Sequence, residues 1–188
     1  MIKEADEGPY YNFFHFVDFS RKIILVTEHR RESFGEPFEN IGRMLKEISS
    51  RFSDVEIIYP VHLNPNVRRP VTEILNGYDR IHLIEPINYP YLIWLMSKAY
   101  FVMTDSGGIQ EEAPSLGNPV LVMRDVTERA EGIEAGTAKL VGTSKDTIVS
   151  NAERLLNDKT EYKRMTKSGN PYGDGKTSER IVEILSAL

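Results

Sequence analysis

A chain of 188 residues is long enough for one domain with a real core, and its lack of cysteine excludes disulfides, thiolate metal sites and a cysteine nucleophile. A net charge of −5 argues against a general nucleic-acid surface, which carries a basic face. The opening Lys3-Glu-Ala-Asp-Glu7 is too acidic for a signal peptide, and the most apolar stretch, Tyr89 to Thr104, is broken by Lys98 and too short to span a bilayer. A cytoplasmic protein without membrane or nucleic-acid partners is the expectation.

Residues 1–20 are acidic and then aromatic, with Tyr10, Tyr11, Phe13, Phe14 and Phe16 in no clean period. Two readings stand: aromatics that cover a surface another domain meets, or a helix packed on the domain's own core. From Ile23 the pattern is regular. Ile23-Ile-Leu-Val-Thr27 is a continuous apolar run, the mark of a strand buried on both faces. Pro37 to Arg51 places Phe38, Ile41, Leu45 and Ile48 near helical spacing. Strands follow at Val55–Tyr59, Ile81–Ile84, Tyr100–Met103 and Val120–Met123, with a sixth at Lys139–Val141. Helices are predicted at Val67–Leu75, Tyr91–Lys98, Lys145–Leu156, Glu161–Lys167 and Thr177–Ala187. This alternation implies an α/β domain over 21–188: a Rossmann-like parallel sheet with helices on both faces.

Ligands of such sheets sit at the carboxyl ends of the strands. Glu28–Glu32, His62–Asn66, Asp105–Gly108 and Arg124–Arg129 all follow strand ends, which favours one shared site. The richest stretch is Thr104-Asp-Ser-Gly-Gly-Ile-Gln-Glu-Glu-Ala-Pro114, a strand, a glycine turn and a short helix stopped by Leu116-Gly-Asn-Pro119. Glycines let the chain approach an anion closely, and a helix N-terminus offers N–H groups and partial positive charge. The plain alternative is a tight turn that packs a helix on a strand. Glu112 lies four residues after Gly108 and so on the same side of the helix, ~6 Å along the axis. That offset suits a carboxylate receiving ribose hydroxyls beside a phosphate. Glu111 points about 100° away and is expected to be solvated.

His29 with Arg30 and Arg31 makes an electropositive strand end, or else a structural histidine beside a surface charge cluster with Glu32. His62 is held between Pro60 and Pro65, as a ligand or as a loop stabiliser. Arg124, Glu128 and Arg129 follow the fifth strand, where the plain reading is a helix-capping salt bridge between Glu128 and a neighbouring arginine. The histidines His15, His29, His62 and His82 lack metal-site spacing, and no metal is expected. Ser106 lacks the Gly-x-Ser-x-Gly elbow of a hydrolase.

Asp105-Ser-Gly-Gly-Ile-Gln-Glu-Glu-Ala-Pro114 resembles the signature of the non-hydrolysing UDP-N-acetylglucosamine 2-epimerases. Thr27-Glu-His-Arg-Arg-Glu-Ser-Phe-Gly35, Tyr59-Pro-Val-His-Leu-Asn-Pro-Asn66, Arg124-Asp-Val-Thr-Glu-Arg129 and Asn170-Pro-Tyr-Gly-Asp-Gly175 agree with it, in order, from about Lys22 onward. The resemblance is to the C-terminal half of such an enzyme, the nucleotide-binding domain of a GT-B fold. It implies that residues 1–20 are the connection arriving from an N-terminal domain. It implies catalytic His29 near the diphosphate, and UDP held by Leu92, Ser106, Gly107, Gly108, Glu112 and Arg129. It also implies a possible second UDP-sugar site at Arg30, Arg31, Glu32 and His62. Two departures stand out. Glu28 replaces a small residue, so it either weakens phosphate binding or points away and pairs with an arginine. Leu92 stands where an aromatic often meets the uracil.

The implied reaction interconverts UDP-GlcNAc and UDP-ManNAc by elimination and re-addition of UDP, with no cofactor. The full-length enzyme is expected to be a homodimer, and this chain without its N-terminal domain is expected to turn over little or not at all. Two rivals remain at this stage: a stand-alone nucleotide-binding or regulatory module, and the donor-nucleotide domain of a GT-B glycosyltransferase.

Overall fold

The computed structural model describes residues 6–28, 36–167 and 169–187, with side chains at all of these but 36–39, 66 and 67. The strands β1 (Lys22–Thr27), β2 (Val55–Pro60), β3 (Ile81–Ile84), β4 (Ala99–Thr104), β5 (Val120–Val122) and β6 (Ala138–Leu140) form one parallel sheet in the order β3-β2-β1-β4-β5-β6. The order reverses between β1 and β4, which opens a crevice beyond their carboxyl ends. Thr27 and Thr104 are partners in register there, and their hydroxyls hydrogen-bond at 2.6 Å.

The Ile-Ile-Leu-Val run of β1 is buried on both faces. Ile24 and Val26 join one core with helices α2 (Glu36–Arg51), α3 (Pro65–Leu75), α7 (Lys145–Asn157) and α8 (Lys159–Lys167). Ile23 and Leu25 join the other, with α4 (Tyr89–Lys98) and α5 (Gly107–Ser115). The continuous apolar run thus reflects a strand with helices on both sides. Helix bounds extend the sequence reading by a turn or less: α3 starts at Pro65, α4 at Tyr89 and α8 at Lys159. Gly117, at φ +81°, takes the left-handed turn that ends α5.

Two short helices escape the periodicity. α1 (Gly8–Phe13) packs the N-terminal aromatics on α4, as in the plainer of the two readings of that segment. Tyr10 and Phe14 stack on Trp94 at 5.2 and 5.6 Å between centroids, and Tyr11 and Phe19 meet it edge-on at 4.9 and 5.4 Å. The Trp94 indole donates to Glu7 at 3.1 Å, and Lys98 pairs with the same carboxylate at 2.8 Å. α6 (Ala130–Glu134) follows β5. The last helix, α9 (Thr177–Ser186), leaves Ile181, Val182, Ile184 and Leu185 exposed. Among the described residues no helix is long and apolar enough to cross a membrane.

Candidate functional site

β4 ends at Thr104, and the chain turns through Asp105 and Ser106 into α5. The Ser106 N–H donates inward to the Thr104 hydroxyl at 3.0 Å, and Ser106 makes no side-chain capping bond. The N–H groups of the first turn of α5 are therefore not taken by a capping side chain. Gly108 is exposed, and a Cβ there would meet nothing nearer than the Ser106 hydroxyl at 3.9 Å. Gly107 is different. A Cβ on it would lie 3.3 Å from a Glu128 carboxylate oxygen and 3.6 Å from Nη2 of Arg129. The Arg129 guanidinium thus closes over the glycine turn, although the two are far apart in sequence. Main chain, helix N-terminus and guanidinium thus lie together at this turn, with a Glu128 carboxylate oxygen among them.

Arg129 is restrained on its carboxylate side. Its Nε donates to Glu111, and Nη1 lies 3.8 Å from Glu128. The bond to Glu111, above all, raises the Arg129 pKa, so the guanidinium stays charged. Glu128 also pairs with Arg124 at 2.9 Å, the salt bridge foreseen for it. Glu111 is 41% exposed, as a solvated carboxylate should be, but it also has a partner. It does point away from Glu112, but that direction meets the segment after β5, and Arg129 takes it as a partner. Beneath this layer Thr127 donates to the buried Gln110 at 2.7 Å and accepts from the Arg129 N–H at 3.1 Å.

Glu112 faces α4 and receives the Tyr89 hydroxyl at 3.2 Å. Burial first, and the Glu112 charge second, raise the Tyr89 pKa. Leu92 is one turn on from Tyr89 and shares its helix face, half-buried against the α4–α5 core. Where β3 ends, an open cavity of ≈ 650 Å³ is lined by Phe13, Phe16, Ile84, Pro86, Ile87 and Tyr91, among others.

The crevice floor is acidic. Glu28 and Asp105 are each 2 % exposed at the ends of β1 and β4, and the buried Tyr59 of β2 donates to Glu28 at 3.3 Å. Burial, then the Glu28 charge, pushes the Tyr59 phenol well above its ordinary pKa. Glu28 therefore points inward and has a phenol as one partner. His29, Arg30, Arg31 and Glu32 lie outside the described residues. His62 is exposed in the loop after β2, where its Nδ1 accepts the Asn64 N–H at 3.1 Å, a loop-stabilising bond. His82 instead pairs with Glu56 inside the sheet, and His15 bonds the Asn12 carbonyl at 3.0 Å.

The sequence and the fold of this chain both match known proteins. The family model described as UDP-N-acetylglucosamine 2-epimerase matches residues 11–186. The chain belongs to that family. A probable UDP-N-acetylglucosamine 2-epimerase of Ralstonia nicotianae is 59% identical over 167 residues, 89% of this chain and 44% of the relative. The UDP-GlcNAc 2-epimerase of Neisseria meningitidis, solved bound to UDP-GlcNAc, superposes with a TM-score of 0.90 at 44% identity, covering 97% of this chain and 49% of that one. The chain thus spans about half the length of these epimerases. A glycosyltransferase of lipopolysaccharide biosynthesis superposes at a TM-score of 0.67 with 14% identity, which shows the shared GT-B-type fold and no more. Of the family positions singled out in the sequence, the fold brings Gly107, Gly108, Ser106 and Arg129 together and sets Glu112 and Leu92 on neighbouring helix faces. Tyr89 is a neighbour outside every motif, and Glu111 and Tyr59 lie within motifs in which no role had been read for them.

Proposed function

We propose that this chain is the UDP-binding C-terminal half of a UDP-N-acetylglucosamine 2-epimerase. The observation that carries the reading is the closure of Arg129 over Gly107 at the carboxyl edge of the sheet, in a chain of this family. In the proposed reaction the C2 proton leaves and the C1–O bond to the diphosphate breaks, giving a 2-acetamidoglucal and UDP. UDP then returns to C1 as a proton is delivered to the opposite face of C2. This interconverts UDP-GlcNAc and UDP-ManNAc.

The leaving diphosphate needs positive charge and N–H donors held in place beforehand. Arg129 and the turn Ser106-Gly107-Gly108 provide them, with His29 beside the diphosphate as the catalytic residue of this half. Glu112 receives the ribose hydroxyls, exchanging its Tyr89 partner for them, and Leu92 covers the base. A second UDP-sugar is held by Arg30, Arg31, Glu32 and His62. No cofactor takes part. The C2 base belongs to an N-terminal domain that meets this one across the crevice, and the full enzyme is a homodimer. The exposed apolar residues of α9 form a surface of the kind a further domain covers.

Two experiments test this. UDP should raise the melting temperature of the chain more than ADP does, because the site is built for uracil. Equal protection by ADP, or none by UDP at millimolar concentration, sinks the assignment. Incubated with UDP-GlcNAc in deuterium oxide, the chain alone should place no deuterium at C2, whereas adding the N-terminal half of the same enzyme should start the exchange. Exchange by the chain alone, lost in His29→Ala, would put the base within these residues and end the half-enzyme reading.

A further inference from the structure

The segment Asn170-Pro-Tyr-Gly-Asp-Gly175 joins α8 to α9 and has no place in the reaction just described. It reaches back to the site at two points. Asn170 donates to the Ser115 hydroxyl at the end of α5, at 2.8 Å, and its own oxygen accepts the Tyr172 N–H at 3.1 Å. Tyr172, so fixed, lays its hydroxyl at the start of α6. There it accepts the Gly132 N–H at 3.0 Å and points at the Arg129 carbonyl at 3.5 Å.

The N-cap of α6 is Arg129 itself, and it makes no side-chain capping bond. A capping residue normally accepts the N–H of the second or third helical position through a short side-chain oxygen. Arginine has no acceptor. Gly132 is the third helical position, and the oxygen that accepts its N–H comes from Tyr172 instead. Gly132 is also the residue the arrangement demands, because a Cβ there would sit 2.6 Å from the Tyr172 oxygen and 3.3 Å from Cβ of Ala138. The cap supplied from elsewhere in the chain lets the N-cap position hold a long cationic side chain, which turns to Glu111 and the glycine turn. The Arg129 main chain is then gripped on both sides, its N–H by the Thr127 hydroxyl and its carbonyl by Tyr172. Burial raises the Tyr172 pKa, so the phenol keeps its proton and can both donate and accept.

We propose that Tyr172 is a positioning residue for UDP binding, capping α6 in place of Arg129 so that the guanidinium is held over the Gly107 turn. The inference rests on the assignment of Arg129 to the diphosphate. It is tested by UDP titration calorimetry on the parent chain, Tyr172→Phe, Arg129→Ala and the double variant, with melting temperatures recorded for all four. Tyr172→Phe keeps the ring and removes only the capping oxygen. Its UDP affinity should fall about three- to tenfold, the usual worth of a cap expressed as binding. In the Arg129→Ala background the same change should alter affinity by less than about twofold, since a residue that acts through Arg129 has nothing left to position. Gly132→Ala, which displaces the phenol oxygen, should reproduce the affinity loss of Tyr172→Phe.

Parent-like affinity in Tyr172→Phe overturns the proposal. So does an equal loss in both backgrounds, which would mark Tyr172 as a merely structural residue. If Arg129→Ala itself binds UDP like the parent, the Arg129 assignment fails and the Tyr172 role falls with it. The same four proteins separate that failure from the failure of Tyr172 alone.

Discussion

Replacing Arg129 by alanine is expected to weaken UDP binding by roughly tenfold to a hundredfold, the range for losing a charge-assisted bidentate contact. Two losses combine. The diphosphate loses a cation whose fork matches two oxygens at once. Glu111 and Glu128, both within reach of the guanidinium in the parent, are left facing the anion with less positive charge between them. Arg129→Lys should recover only part of the affinity, because an ammonium restores the charge without the fork. Uridine, which has no phosphate, should bind the parent and Arg129→Ala alike. Calorimetric titration of these proteins with UDP and uridine checks the three statements together. If Arg129→Ala binds UDP as the parent does, or loses uridine equally, the anion site is misplaced.

The sheet was legible because its strands are buried on both faces, so Ile23 to Val26 and Phe101 to Met103 read as unbroken apolar runs. Of the four polar segments read at strand ends, the structure brings Asp105–Gly108 and Arg124–Arg129 together, since a parallel sheet gathers those ends at one edge. What stayed hidden depends on contacts between elements. α6 has five residues, one of them a buried glycine, and an arginine at its N-cap, so neither period nor capping chemistry announces it. α1 shows no period because Tyr10 and Tyr11 both meet one indole while Phe13 packs on Tyr91, so its aromatics do not line one face of a helix. The helical wheel gave the direction of Glu111 correctly but could not say that an arginine eighteen residues later would fill that direction. Glu28 stands in a motif read as anion-binding, and only the packing of β1 against β2 shows its carboxylate turned under the crevice toward Tyr59.

Trp94→Ala should produce the largest loss of stability, about 3–5 kcal/mol, the range for removing a fully buried large aromatic. Trp94 is 1% exposed, and four aromatic rings from residues 10–19 converge on it. Truncation leaves those rings without their common partner and takes the indole donor from Glu7, which keeps its ion pair with Lys98. Residues 6–20 attach to the domain mainly through this cluster, so they should come away before the sheet unfolds. The urea slope of the variant should then fall, because less surface remains to be exposed in the main transition. Limited proteolysis should cut first within residues 6–20. Trp94→Phe should lose clearly less, keeping a ring for Tyr10 and Phe14 to stack on while losing the indole donor. A loss under about 1 kcal/mol in Trp94→Ala, far below the range for a buried aromatic, would mean that the N-terminal aromatics are not anchored by this residue. The consequence reaches the site through α4, whose first turn carries Tyr89 and Leu92 and whose second turn carries Trp94. Loss of the anchor should therefore weaken UDP binding modestly, with Glu112 losing the fixed helix that now presents Tyr89 to it.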